Sequence, residues 1–199
     1  MVNNIDIIKP LLKFDSLEEF YFIQVLQRSK ENPDLGKNNH LVKAYYVYSL
    51  EYLDKRFDEM KKLADTFNAR IYIHLNRRNA KTISFEMMET LAHSMKSGQF
   101  YSLDNLYNSV CGKHASNRDK TWIIDIDWVD FEGNKAEVAN VMSLVEELQK
   151  ETGRTPMCEI IPTKNGVHLI THPFNSEKFG KVYPQLVLHK NNPTILYIP

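Results

Sequence analysis

The chain has 199 residues, of which 43% are hydrophobic and 25% are charged, so it can bury one sizeable core. Its two cysteines, Cys111 and Cys158, exclude a disulfide scaffold or a cysteine zinc site, and we expect a reduced, cytoplasmic location. The 25 basic residues balance the 25 acidic ones, so any nucleic-acid binding must depend on a local basic patch. No apolar run approaches the ~20 residues that span a bilayer, so we expect no membrane partner.

The first half of the chain predicts a mixed α/β module. The capping-box spacing of Ser16 and Glu19, followed by apolar residues at helical intervals, predicts a helix over 16–30. β-Branched and aromatic residues predict a strand over 41–50, and strict alternation predicts another over 69–76. Helical periodicity predicts helices over 51–67 and 83–97 and a shorter one over 102–110.

The second half predicts strands over 121–128, 157–162, 166–172 and 194–198, with helices over 135–151 and 176–182. This β-α-β-β-α-β order is typical of the ferredoxin-like, or RRM-like, fold. We therefore predict an α+β protein with this core over about 115–199. Residues 1–114 would form the N-terminal α/β module, either as a separate domain or within one compact unit.

Two carboxylates lie on one face of the predicted strand 121–128. Because side chains alternate along a strand, Asp125 and Asp127 share a face with Ile123, and their Cα atoms are ~7 Å apart. Such a pair can hold Mg²⁺ or Mn²⁺. The alternative is that these acids cap a neighbouring loop or pair with basic side chains.

A polar turn precedes the strand 166–172. Thr163, Lys164, Asn165 and Gly166 offer a hydroxyl, an ammonium group and backbone N–H groups, which suit phosphate oxygens. His168 follows on the strand, and the first and third strands of this fold are neighbours, so we expect His168 beside the two acids. The alternatives are an ordinary solvated hairpin and a buried structural histidine.

Two basic segments are further candidates for phosphate binding. Arg77 and Arg78 follow the predicted strand 69–76 and precede a helix, where free N–H groups also favour an anion. Lys113 and Arg118 precede the strand with the two acids. We expect both segments to border the same cleft, and the alternative for each is a solvated loop.

These motifs resemble the catalytic core of the archaeo-eukaryotic primase superfamily, including the primase-polymerases of phages and plasmids. The family's first motif has two acids on a hydrophobic strand, as Asp125 and Asp127 are placed here. Its second motif is similar to the run from Thr163 through Gly166 to His168. The resemblance implies nucleotidyl transfer with Mg²⁺ or Mn²⁺ held by the two acids, and triphosphate binding by His168, Thr163 and Lys164.

The third motif of that family, an acid on the last core strand, has no counterpart here. Residues 189–199 contain neither Asp nor Glu, so Asn191 or Asn192 lies where the acid is expected, and Glu159 is a potential substitute. Three hypotheses follow. The first is a primase-like enzyme acting on nucleotides and DNA or RNA ends in phage or mobile-element DNA replication, with a partner such as a helicase. The others are a non-catalytic module that binds nucleic acid or a partner, and a metal-dependent nuclease.

Overall fold

In the computed structural model, which describes residues 1–99 and 105–199, the chain is a mixed α+β protein with two antiparallel sheets. The helices in these ranges are α1 (Ile5–Ile8), α2 (Leu50–Thr66), α3 (Ala80–Lys96), α4 (Leu106–Lys113), α5 (Glu137–Glu151) and α6 (Ser176–Val182). The strands are β1 (Val2–Asn3), β2 (Glu19–Gln27), β3 (His40–Val47), β4 (Arg70–Asn79), β5 (Trp122–Asp127), β6 (Cys158–Pro162), β7 (Gly166–Thr171), β8 (Val187–His189) and β9 (Thr194–Ile198). None of the described helices is long and apolar enough to cross a membrane.

The larger sheet has the strand order β1-β9-β4-β2-β3. Its strand β9 comes from the end of the chain, yet it lies between β1 and β4. The boundary predicted near residue 115 therefore separates strands that share one sheet.

The smaller sheet has the order β6-β7-β5-β8, with every neighbouring pair antiparallel. The prediction that residues 194–198 form its last strand is wrong. The short strand β8 takes that position, and the apolar segment 194–198 instead joins the larger sheet, where all five of its residues are buried.

The two sheets pack face to face over part of their area. Ile123, Ile161 and Ile170 of the smaller sheet belong to the same apolar core as Ile71 and Ile73 of the larger one. Helices α5 and α6 cover the opposite face of the smaller sheet. The face with Ile123, and therefore with Asp125 and Asp127, is turned toward the larger sheet and away from these helices.

The helix predicted over 16–30 is wrong, because most of this segment is strand β2. Phe20 and Phe22 pack toward α3 and α4, whereas Tyr21, Ile23 and Val25 pack into the core between the sheets. A strand buried on both faces lacks the polar alternation that identifies a half-buried strand. Its continuous apolar run also satisfies helical spacing by coincidence.

The other predicted elements are present, most of them with shifted ends. Strand β4 extends to Asn79, three residues beyond its prediction, and α3 begins directly after it. Of the helix predicted over 102–110, residues 102–104 lie outside the described part of the chain, and α4 covers Leu106–Lys113. Helix α6 has the predicted bounds.

At Gly166 the backbone of β7 lies against the backbone of β5, with no room for a side chain. A Cβ atom placed on Gly166 would lie 1.9 Å from the carbonyl oxygen of Ile126 and 2.9 Å from the Cα of Asp127. Both are backbone atoms, so a rotamer change cannot relieve the overlap. Only glycine permits this strand pairing.

We predict that Gly166→Ala destabilises the protein by about 3 kcal/mol or more, since overpacking against a rigid backbone forces the strands apart. Gly180→Ala is the control, because a Cβ at Gly180 in α6 meets no atom within 4 Å. This control is expected to stabilise the helix by up to ~1 kcal/mol. Urea unfolding of the two variants measures the difference, and equal effects would contradict the packing argument.

Candidate functional site

A cleft of about 610 Å³ opens where the two sheets diverge. Its walls come from the ends of β2, β5 and β8, the start of β4, and the turn between β6 and β7. The polar side chains that line it are Arg28, Lys30, Glu31, Asn39, Arg70, Tyr72, Asp125, Asp127, Thr163, Lys164, Asn165, His168, His189 and Asn192. The cleft thus contains the two acids, His168 and the predicted polar turn.

Asp125 and His168 face each other across β5 and β7. The register pairs Asp125 with His168 and Asp127 with Gly166. The Nε2 atom of His168 lies 3.4 Å from Oδ1 of Asp125, and its Nδ1 atom lies 2.8 Å from Oγ1 of the buried Thr194. The imidazole is therefore held on both nitrogens, by β5 on one side and by β9 on the other.

The pKa of Asp125 is lowered from its ordinary value, chiefly by the hydrogen bond with His168. His189 on β8 also lowers it, because His189 is paired with Ile123, which lies on the same sheet face as Asp125 and two residues before it. The neighbouring strands thus supply two imidazoles that favour the ionised form of this carboxyl group.

The environment of Asp127 differs from that of Asp125. It is exposed at the end of β5 and begins a short 3-10 helix over Trp128–Phe131, with a reciprocal capping interaction in which its own N–H donates to Asp130 at 2.8 Å. Partial burial raises the pKa of Asp127, and the charge of Asp125 raises it further. The capping alternative holds for Asp127, and its carboxylate still faces the cleft.

The turn from Thr163 to Gly166 is closed by the backbone N–H of Thr163 donating to the carbonyl of Gly166 at 3.0 Å. The Asn165 carbonyl accepts from the N–H of Trp128 at 3.0 Å, which ties the turn to the end of β5. Lys164 is exposed at the tip. Gly166 has a structural reason to be glycine, the close approach to Ile126, that is independent of phosphate binding.

Basic side chains lie across the cleft from the acids. Arg70 begins β4 and is paired in the register with Leu26 near the end of β2, so Arg28 emerges at the same end of the larger sheet. The cleft is lined by four such cations against three carboxylates: Arg28, Lys30, Arg70 and Lys164, with Glu31, Asp125 and Asp127. This rim gives a neutral protein a local excess of positive charge.

Arg77 and Arg78 do not border the cleft, contrary to the prediction. They belong to β4, and seven residues of extended chain place Arg77 roughly 23 Å from Arg70. Arg77 is buried and pairs with Asp15, Glu19 and Asp119. Arg78 is fully buried and donates to the carbonyls of Cys111 and Gly112, so it holds the end of α4.

Lys113 and Arg118 also lie outside the cleft lining. Lys113 is the last residue of α4, and its carbonyl accepts from Asn191 at 3.0 Å. Arg118 pairs with Asp15 at 2.7 Å, at the same end of β4 as Arg77. The prediction failed because the cleft lies at the start of β4, beside Arg70 and Tyr72, whereas Arg77 and Arg118 lie at the other end of that strand.

The structure separates the three candidates for the missing acid. Asn192 lines the cleft and lies 3.0 Å from Nδ1 of His189, whereas Asn191 turns away to cap α4. Glu159 lies on β6 opposite Ile170 and lines a different cavity. Among residues 1–99 and 105–199, no group of three or more His, Cys, Asp or Glu side chains is arranged to hold a metal ion.

Sequence reasoning missed several side chains that line the cleft, among them Arg28, Arg70 and Tyr72. Arg28 and Arg70 lie at the ends of two strands, β2 and β4, that are neighbours in the sheet. The prediction of a helix over 16–30 excludes this pairing of β2 with β4. A correct assignment of β2 would have brought the two arginines to one sheet end.

Comparisons of this chain with protein-family models, with curated proteins and with solved structures find no match. The geometry of the cleft is therefore the only basis for assigning a function to this chain.

The two acids are predicted to affect stability in opposite directions. At pH 6, Asp125→Asn should lower the free energy of unfolding, because a carboxyl group with a lowered pKa stabilises the fold when ionised. Asp127→Asn should raise it, because the ionised form of a group with a raised pKa is disfavoured and asparagine is an equally good cap.

Each effect should stay below about 1 kcal/mol, because both groups reach solvent. The Asp127 effect should fade as the pH falls from its raised pKa toward ~4, and the Asp125 effect should fade as the pH falls from ~4 toward its lowered pKa. Urea unfolding of the parent and both variants at pH 6 and pH 3.5 checks the signs. If both variants changed the free energy of unfolding in the same direction at pH 6, the opposite pKa shifts given to the two acids would be wrong.

Proposed function

We propose that the cleft binds a nucleoside triphosphate with a divalent cation, and that the chain is a primase-like nucleotidyltransferase acting on nucleotides and nucleic-acid ends. One observation carries the proposal. The register of β5 and β7 sets Asp125 opposite His168 and Asp127 opposite Gly166, at the mouth of a cleft with a cationic rim. Acids that can hold a cation and basic side chains that can hold phosphates thus line the same cleft.

The topology of the smaller sheet supports the primase-like interpretation. We infer a ferredoxin-like split βαβ unit here. The inference is supported by the sheet order β6-β7-β5-β8 and by the positions of α5, between β5 and β6, and α6, between β7 and β8. Both helices pack on one face. The other face is consequently left to the larger sheet and, at its end, to the ligand.

The carboxylates present are suited to Mg²⁺ or Mn²⁺ bound with its substrate. Mg²⁺ is usually held by one or two carboxylates, several waters and the phosphates of the substrate, and not by a complete protein cage. The raised pKa of Asp127, due to burial and then to Asp125, shows repulsion between the acids that a cation would relieve. When bound, such a cation would neutralise phosphate charge and help to ionise an attacking hydroxyl group.

The protein's own groups would orient the nucleotide. Thr194 holds the Nδ1 side of the His168 ring, and Nε2 lies on the cleft side, next to Asp125. On the proposed function, His168 would help to orient a phosphate bound beside that acid. Lys164 and Arg28 approach from the turn and from the end of β2. Fixed donors of this kind favour phosphoryl and nucleotidyl transfer by positioning and charge.

A non-catalytic nucleotide-binding or nucleic-acid-binding module is the second candidate. Asp127 already has a capping role at the end of β5. Among the described residues, no group of three or more His, Cys, Asp or Glu side chains that includes the two acids is arranged to hold a metal ion. The rim of cations does not depend on either feature. This candidate keeps phosphate binding and lacks turnover.

The test measures binding of ATP and dATP by calorimetry with and without Mn²⁺, together with primer extension and primer-free dinucleotide synthesis. The Asp125→Asn, Asp127→Asn double variant should lose the Mn²⁺-dependent part of binding, by about tenfold or more, and all synthesis. Glu151→Gln, an exposed acid on α5, is the control. Synthesis that survives in the double variant would refute the enzyme, and Mn²⁺-independent binding without synthesis would establish the second candidate.

Adding a carboxylate at Asn192, in the last-strand segment where the family's third acid is expected, is a complementary test. Asn192→Asp should raise Mn²⁺ affinity by about tenfold, because Asn192 lines the cleft beside His189 and near the two acids. Asn117→Asp, which adds the same charge at an exposed position outside the cleft, should leave the affinity unchanged. An equal gain in both variants would indicate a general charge effect.

A further inference from the structure

Glu31 joins basic side chains from the two sheets. Both its oxygens are engaged by Arg70, with Nε at 3.0 Å from Oε2 and Nη2 against Oε1, in a bidentate pair. Its Oε1 also lies 3.5 Å from Nζ of Lys164, on the turn between β6 and β7. One carboxylate therefore closes the gap between the larger sheet and the smaller one.

This ion-pair bridge separates two cavities. Glu31, Arg70 and Lys164 line the cleft that contains Asp125, and they also line a neighbouring cavity of about 540 Å³ next to Met1 and Pro199. If the Glu31 side chain turned away, the two cavities would form one longer groove with Arg70 at its centre.

From this arrangement we infer that Glu31 occupies an oxyanion subsite, formed by Arg70 and Lys164, that takes a phosphate group of the ligand once Glu31 is displaced. A planar carboxylate bound by both N–H groups of a guanidinium has the geometry that phosphate oxygens adopt with arginine. The subsite is defined by these residues alone. Only the identification of its phosphate as part of a nucleotide rests on the proposed function.

The exchange needs little rearrangement of the chain. The backbone of Glu31 is fixed by its N–H donating to the Arg28 carbonyl at 3.0 Å and by its carbonyl accepting from Asn68. Only the side chain has to rotate. Arg70 is 92% buried at its side chain, with 8% exposed, and a buried guanidinium left without an anion is costly. An incoming phosphate is consequently needed for Glu31 to leave.

Arg28 strengthens the same subsite. It lines the same cleft as Glu31, Asp125 and Asp127, one residue beyond the end of β2. A polyphosphate chain that extends from the acids past Arg28 would reach Arg70 and Lys164. Competition with the resident carboxylate should make the parent protein a weak binder.

The experiment measures binding of inorganic triphosphate by calorimetry in metal-free buffer. Glu31→Gln removes the competing charge and should tighten binding by about tenfold. Glu177→Gln is the matched control, because it removes the same charge from an exposed position on α6, and it should leave the affinity unchanged. Equal affinities of parent and Glu31→Gln, or no detectable binding by either, would overturn the inference.

Two further measurements keep the inference testable if Glu31→Gln is destabilised. Lys164→Ala alters an exposed side chain, 61% accessible, and should weaken triphosphate binding about threefold to tenfold in the Glu31→Gln protein. Triphosphate should also raise the melting temperature of Glu31→Gln more than that of the parent, as preferential binding to the folded state requires. No effect of Lys164→Ala would count against the subsite even if Glu31→Gln were destabilised.

The same assay separates this inference from the proposed function. Triphosphate binding without metal should persist in the Asp125→Asn, Asp127→Asn double variant, because neither acid belongs to the subsite. ATP in the same metal-free assay distinguishes a nucleotide from free polyphosphate. If ATP binds more tightly than triphosphate, the nucleoside makes contacts of its own. If the two bind equally, only the phosphate chain is recognised. Glu31→Gln should tighten binding in both cases.

Discussion

The backbone contact between Gly166 and Ile126 determines the geometry of the rest of the site. Because β7 can approach β5 so closely only at a residue without a Cβ atom, the register is set with Asp127 opposite Gly166 and Asp125 opposite His168. A shift by one residue would turn Asp125 and Asp127 toward α5 and α6 and would place Ile124 and Ile126 in the cleft. The turn before Gly166 and the orientation of His168 both follow from this pairing.

The second constraint is that each sheet completes the site of the other. His168 lies on the smaller sheet, but its Nδ1 partner Thr194 belongs to β9 in the larger one. Likewise Glu31 forms ion pairs both with Arg70 of the larger sheet and with Lys164 on the turn of the smaller one. Since Ile71 and Ile123 share one apolar core, the packing that joins the sheets also sets the width of the cleft. The site is therefore a property of the interface between the sheets.

Sequence patterns predicted the smaller sheet better than the larger one, for a physical reason. Strand β5 has one face toward the helices and one toward the cleft, so its alternation of apolar and acidic residues identifies both faces. Strand β2 packs against apolar layers on both faces, and its pattern was compatible with a helix. The pairing of Asp125 with His168 followed from the predicted strand order. The pairing of Arg28 with Arg70 required β2, and the transfer of β9 to the other sheet depends on tertiary packing that no local pattern records.

The two ends of β4 show why only one of them is suited to bind an anion. At the far end, three cations meet three carboxylates: Lys13, Arg77 and Arg118, with Asp15, Glu19 and Asp119. These charges neutralise each other, and Arg77 is buried among its partners, so a phosphate would have to break existing ion pairs without a net attraction. At the cleft end, the four cations exceed the three carboxylates, and two of those carboxylates are suited to a divalent cation. A bound cation would raise the positive excess further, which favours an anion as highly charged as a triphosphate. The ion pairs at one end of β4 thus leave no excess charge, whereas the cleft at its other end keeps an excess of cations in a protein that is neutral as a whole.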